Sequence, residues 1–193
     1  MGQTGRKAAR WAVHPMACAM AWAFTLMAGA GASARLAPGG VGHPSPRQDA
    51  VFTLKRGPRL LPATGDPVWQ LQLDVPGQRS RSFEALVGRA SRQGADRHQL
   101  GSQAPLPPGR YRLTDISAIE PDDPVELGRV LWIGLEPQFP TARLGLGIHH
   151  DPSAGLGPES GTDGCIGLIR GDDLLRLAAL LEDSGTRNLV VIQ

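Results

Sequence analysis

The segment GIHHDPSAGLGPESGTDGCIGL, residues 147–168, sets His149 and His150 ahead of Cys165 across a stretch built from small, loop-forming residues. A cysteine attacks as thiolate, so it needs a depressed pKa or a base beside it. Imidazole is the natural base, because its unperturbed pKa lies near working pH. A Gly-, Pro- and Ser-rich loop can fold back and bring the two side chains together. A tight Asp163-Gly164-Cys165 turn can aim consecutive backbone N–H groups at one point, which a developing oxyanion requires. Two other readings stand beside this one, one bland and one chemical. The first is a surface loop carrying one inert thiol. The second is a metal site built from His149, His150, Asp151 and Cys165. Adjacent residues of a strand point to opposite faces and no C-x-x-C pair is present, so no metal is expected. The same alternation means that one histidine faces the thiol, and the other is a rim or packing residue.

Those side chains belong to a chain of 193 residues, enough for one ordinary domain. Its start differs from the rest. MGQTGRKAAR supplies Arg6, Lys7 and Arg10 with no acid, an apolar run follows from Met16 to about Ala30, and Ala32-Ser33-Ala34 ends it. This order reads as a secretory signal peptide over residues 1–34, cut after Ala34; left uncut, the apolar run would anchor the chain in a membrane. Cleavage removes Cys18 and all four methionines, leaving Cys165 as the one cysteine. It also takes the 20 basic residues to 17, against 18 acidic. A near-neutral chain with no basic stripe interleaved with aromatics is not expected to bind nucleic acid. A lone cysteine in an exported chain points either to an intermolecular bond or to a reactive thiol.

Residues 35–67 are rich in Gly, Pro and Arg and read as a flexible linker, with at most a short strand at Val51 to Leu54. The folded region is expected from Val68 to Gln193. In VWQLQLDV, Trp69, Leu71, Leu73 and Val75 alternate with polar residues, the signature of a half-buried strand ended by Pro76-Gly77. SFEALVG (82–88) reads as its partner. Further strands are expected at Arg110 to Ile116, Val130 to Ile133, Leu144 to Ile148 and Asn188 to Ile192. In GDDLLRLAALLED, Leu174, Leu177, Ala178 and Leu181 recur at helical spacing. Asp172 or Asp173 can cap that helix, and Ser184-Gly185 can stop it. The expected architecture is mainly β with one C-terminal α-helix.

The residues resemble the L,D-transpeptidase (YkuD-type) catalytic domain family. Its signature is a histidine, about fifteen residues, then Ser/Thr, any residue, Gly and Cys. Here His149 is followed by fifteen residues and then Thr162-Asp163-Gly164-Cys165. Upstream, LVGRASRQGADRHQLGSQAPLPPGRYRLTDI is similar to the family's strand, polar loop and Pro-Gly-containing strand. Downstream, GDDLLRLAALLEDSGTRNLVVI is similar to its closing helix and final strand. The resemblance implies an L,D-transpeptidase-type β-sandwich. It makes Cys165 the nucleophile and His149 its base, with the imidazole oriented by the backbone carbonyl of His150. Amides of Gly164 and Cys165, with Asp163, would form the oxyanion hole, Thr162 would shape the loop, and no metal or organic cofactor is implied.

The reaction it implies is attack on a peptidoglycan stem tetrapeptide before its terminal D-alanine, a thioester, and transfer to an amine as a 3→3 cross-link. Water as acceptor would make an L,D-carboxypeptidase, and loss of chemistry would leave a silent wall-binding domain. The implied location is the periplasm or cell envelope. The chain departs from the family pattern at Gly167, where Arg or Asn is usual, and at Asp163, often His. The Asp163 carboxylate would oppose thiolate formation unless paired, and Arg170 and Arg143 are the expected partners.

Overall fold

The computed structural model describes residues 49–193; the segment read as a signal peptide and the first part of the linker lie outside them. Eight strands follow in chain order. They are β1 (Val51–Leu60), β2 (Pro67–Asp74), β3 (Arg81–Val87), β4 (Gly109–Ser117), β5 (Trp132–Pro137), β6 (Leu146–His150), β7 (Ile166–Leu168) and β8 (Asn188–Ile192). One α-helix, α1 (Gly171–Ser184), lies between β7 and β8. Trp69, Leu71 and Leu73 of β2 are fully buried together with Phe52, Leu54, Ile133, Ile148, Ile166 and Leu168, so the alternating face of β2 is the core face.

The strands close into a barrel in the order β1-β2-β3-β7-β6-β5-β4-β8. The expected sandwich is thereby corrected to a barrel, while the mainly β character and the single C-terminal helix stand. The cause is β1. It pairs antiparallel with β2 (Leu54 opposite Leu71) and parallel with β8 (Leu54 opposite Val191), covering two edges that would otherwise be open. This ten-residue strand lies inside the segment read as a flexible linker, so the fold begins at Val51 rather than Val68. Its Gly57-Pro58 pair looks like a breaker, yet the ladder absorbs it through a register shift between Arg56 and Leu60. The missing side chain at Gly57 also has a use, since a Cβ there would stand 2.8 Å from the Val68 carbonyl oxygen.

Helix α1 buries Leu174, Leu177, Ala178 and Leu181 and packs on β6 and β7, the two strands that carry the histidines and follow the cysteine. Its start corrects the expected cap. Arg170 holds the N-cap position with no side-chain capping bond, and Asp172 and Asp173 sit in the first turn, where their charge favours the helix dipole. Gly185 ends the helix in the left-handed conformation at φ 66°.

Candidate active site

The two halves of the histidine–cysteine segment meet because β6 and β7 run parallel side by side. Ile148 pairs with Ile166, His149 with Gly167 and His150 with Leu168. Leu146, Ile148, Ile166 and Leu168 belong to the barrel core. By alternation, Gly147, His149 and Gly167 occupy the outer face. Cys165 directly precedes β7, one residue before the Ile148–Ile166 pair, and its thiol is bonded by the backbone of Gly147 on β6, two residues before His149. The Cys165 thiol points at the Gly145 carbonyl oxygen, 3.7 Å away.

His149 is 2 % exposed. Its Nδ1 lies 2.9 Å from the His150 carbonyl oxygen. A carbonyl can only accept, so Nδ1 carries the proton and Nε2 keeps its lone pair. The ring of Trp132, from the first residue of β5, lies nearly parallel to the imidazole, at 14° and 6.0 Å between centroids. A Cβ on Gly147 would fall 2.2 Å from Trp132 Cζ2, so the bare glycine makes room for that indole. The His150 ring goes elsewhere and packs beside Gly128 and Gly171, where added Cβ atoms would come within 3.1 and 3.7 Å of it. The two histidines therefore diverge.

The loop between His150 and Cys165 is held by buried side chains. Asp151, 2 % exposed, accepts from the Ser153 amide (2.9 Å), the Ser153 hydroxyl (2.7 Å) and the Gly161 amide (3.0 Å). Asp66, from the turn between β1 and β2, accepts from the Ser160 hydroxyl at 2.6 Å. Thr162 is the junction. Its hydroxyl donates to the Cys165 carbonyl (2.7 Å) and accepts from the amides of Gly88 (3.1 Å) and Gly164 (3.2 Å). The Gly164 amide is thus already committed, and the expected oxyanion donors reduce to the amides of Asp163 and Cys165. Gly167 has a reason as well. A Cβ there would stand 2.7 Å from Thr162 Cγ2 and 2.8 Å from Asp151 Cβ, so the space is taken by the residues that hold the loop.

The expected partners of Asp163 are also corrected. Its carboxylate meets the guanidinium of Arg89 at 3.2 Å and the side-chain amide of Gln103 at 2.9 Å. Arg170 instead faces Asp173, and Arg143 donates to the Asp163 backbone carbonyl, 3.3 Å away. Arg89 further faces Glu126 (3.8 Å) and Glu159 (3.5 Å), and so serves three carboxylates, two from the β6–β7 loop and one from the β4–β5 connection. Arg89, Gln103, Trp132 and Arg143 lie far from the cysteine along the chain, and only the folded barrel brings them to it. Burial pushes the Cys165 thiol up to about 11, with Glu126 and Asp163 adding to the rise while a Gly147 backbone hydrogen bond and Arg143 oppose it. Burial also lowers the His149 imidazole below its ordinary value, against the pull of the His150 carbonyl and Asp151. The resting pair is a neutral thiol and a neutral imidazole. Of the two routes to a nucleophile, a preformed thiolate does not fit this resting pair, and general-base assistance does.

Comparison with protein-family models, curated proteins and solved structures finds no match for the chain. Among the described residues, no three His, Cys, Asp or Glu side chains converge as a metal-ligand group. No helix among them is long and apolar enough to cross a membrane.

Proposed function

We propose that the protein is a cysteine acyltransferase of the L,D-transpeptidase type, exported to the periplasm or cell envelope and acting on peptidoglycan stem peptides. The observation that carries this reading is the parallel β6–β7 pairing, which brings the start of β7, where Cys165 stands, alongside the strand that carries His149, whose Nε2 is left as the basic nitrogen. The resemblance of the His149-to-Cys165 spacing to that family supplies the substrate class.

In the first step the Cys165 S–H proton passes to His149 Nε2 as sulfur attacks the carbonyl carbon before the terminal D-alanine. The carbonyl oxygen becomes an oxyanion, facing the amides of the Asp163–Cys165 turn. Collapse breaks the C–N bond, and the departing D-alanine amine takes the proton from Nε2. A thioester on Cys165 remains. An acceptor amine, relieved of a proton by Nε2, then attacks it and expels the sulfur, which regains that proton. Water in place of the amine gives a tripeptide and an L,D-carboxypeptidase. A neutral resting pair suits this sequence, because the proton moves only when the electrophile is in place.

The raised thiol is also the observation that favours a second reading, a silent wall-binding domain keeping the fold. Product analysis separates all three. Incubation with disaccharide-tetrapeptide is expected to yield a Cys165-dependent cross-linked dimer by mass spectrometry. A tripeptide alone would assign hydrolysis, and unchanged substrate with folded protein would favour the silent domain.

A further inference from the structure

Arg143 precedes β6 and is 3 % exposed, yet among the described residues it has no carboxylate partner. All its hydrogen bonds go to neutral acceptors. Nη1 reaches the carbonyls of Arg97 (3.2 Å) and Ala104 (3.3 Å) and the Ser102 hydroxyl (3.5 Å), and Nη2 reaches the Asp163 carbonyl (3.3 Å). The contrast with Arg89 is sharp, since three carboxylates face that less buried guanidinium. A guanidinium does not lose its proton in a protein, so Arg143 is a buried cation offset only by dipoles, an arrangement that is costly without a counter-charge.

Its position bears on where a counter-charge would arise. A Cβ on Gly164 would fall 1.6 Å from Nη2, so the guanidinium lies directly against the backbone of the turn that presents Cys165. We propose that Arg143 is a positioning residue whose charge is answered by the reacting sulfur, and then by the oxyanion, so that the site becomes electrically balanced only during the reaction. Asp163 and Glu126 face Cys165 with negative charge, and Arg89 answers both. Tyr111 faces Arg143 from β4, but burial holds its phenol protonated far above the ordinary range, and its hydroxyl donates to the Pro107 carbonyl. Arg143 therefore brings to the sulfur a positive charge with no carboxylate of its own among the described residues, and it pulls the thiol down against its burial. The inference rests on Cys165 as the reacting group and not on the identity of the substrate.

The test reads the thiol directly. Iodoacetamide alkylation of Cys165 at pH 8 is expected to slow about tenfold in Arg143→Gln and to stay within about threefold in Arg143→Lys, which keeps a cation. Thermal melting checks that both variants are folded. In the wild-type protein, the Arg143 Cζ carbon resonance is expected to titrate with the same midpoint as the alkylation rate, and Cys165→Ser removes that titration. A folded Arg143→Gln alkylated at the wild-type rate would overturn the proposal. So would an Arg143 resonance blind to Cys165, which decides the matter even if Arg143→Gln fails to fold. Loss of cross-linking with this coupling intact would strike the substrate reading alone.

Discussion

His149→Ala is expected to lower the rate of Cys165 acylation by about a thousandfold, while His150→Ala costs no more than about threefold. The difference follows from what each residue contributes. His149 gives a buried ring whose Nδ1 is spent on a carbonyl and whose Nε2 keeps its lone pair. His150 gives that carbonyl, which alanine keeps, and a ring packed beside Gly128 and Gly171 on the other side. The pH profile carries a second part of the same prediction. Burial lowers the His149 pKa, so its base form persists below the ordinary 6.5 and is lost only as pH falls further. The acid limb of kcat/KM therefore lies on the acid side of 6.5. Pre-steady-state release of D-alanine against pH measures both. A limb at or above 6.5, or equal losses in the two variants, would show that the base is misassigned.

Gly164→Ala carries the other large effect. The residue sits at φ +116°, a conformation that L side chains rarely adopt, and its Cβ would overlap the buried Arg143 guanidinium at 1.6 Å. Neither neighbour can yield cheaply. Moving Arg143 breaks its bonds to the Arg97, Ala104 and Asp163 carbonyls, and moving the turn breaks the Thr162 junction. The expected cost is about 2–4 kcal/mol of stability, with acylation falling below detection. Gly77→Ala is the control, because Gly77 also has positive φ but a Cβ there meets nothing within 4 Å. It should cost about 1 kcal/mol and leave acylation unchanged. Urea denaturation beside the acylation assay distinguishes a local overlap from the general cost of replacing such a glycine.

Much of the barrel was legible in the sequence, because alternation in β2 and the three- and four-residue spacing of α1 are direct images of one-sided burial. Barrel closure was not. It depends on β1, whose Gly57-Pro58 pair resembles a linker locally and becomes a strand because β2 and β8 each have one edge left to pair. Strand β7 is three residues with a central glycine, too short to show a period, yet it fixes the register of Cys165 against β6. At the site, the histidine–cysteine spacing is a local pattern and could be read. The pairing of Asp163 with Arg89 and Gln103 could not, since two candidate arginines nearer along the chain, Arg143 and Arg170, prove to be engaged elsewhere. Long-range charge pairing is decided by the fold and not by proximity in sequence.

The central claim is that Cys165 is an acyl-accepting nucleophile served by His149. Intact-protein mass spectrometry after mixing with disaccharide-tetrapeptide tests it most directly. The account predicts an adduct on Cys165 with the mass of the stem lacking its terminal D-alanine, labile to hydroxylamine, absent in Cys165→Ala and greatly slowed in His149→Ala. A folded wild-type protein that forms no adduct and releases no D-alanine would contradict it.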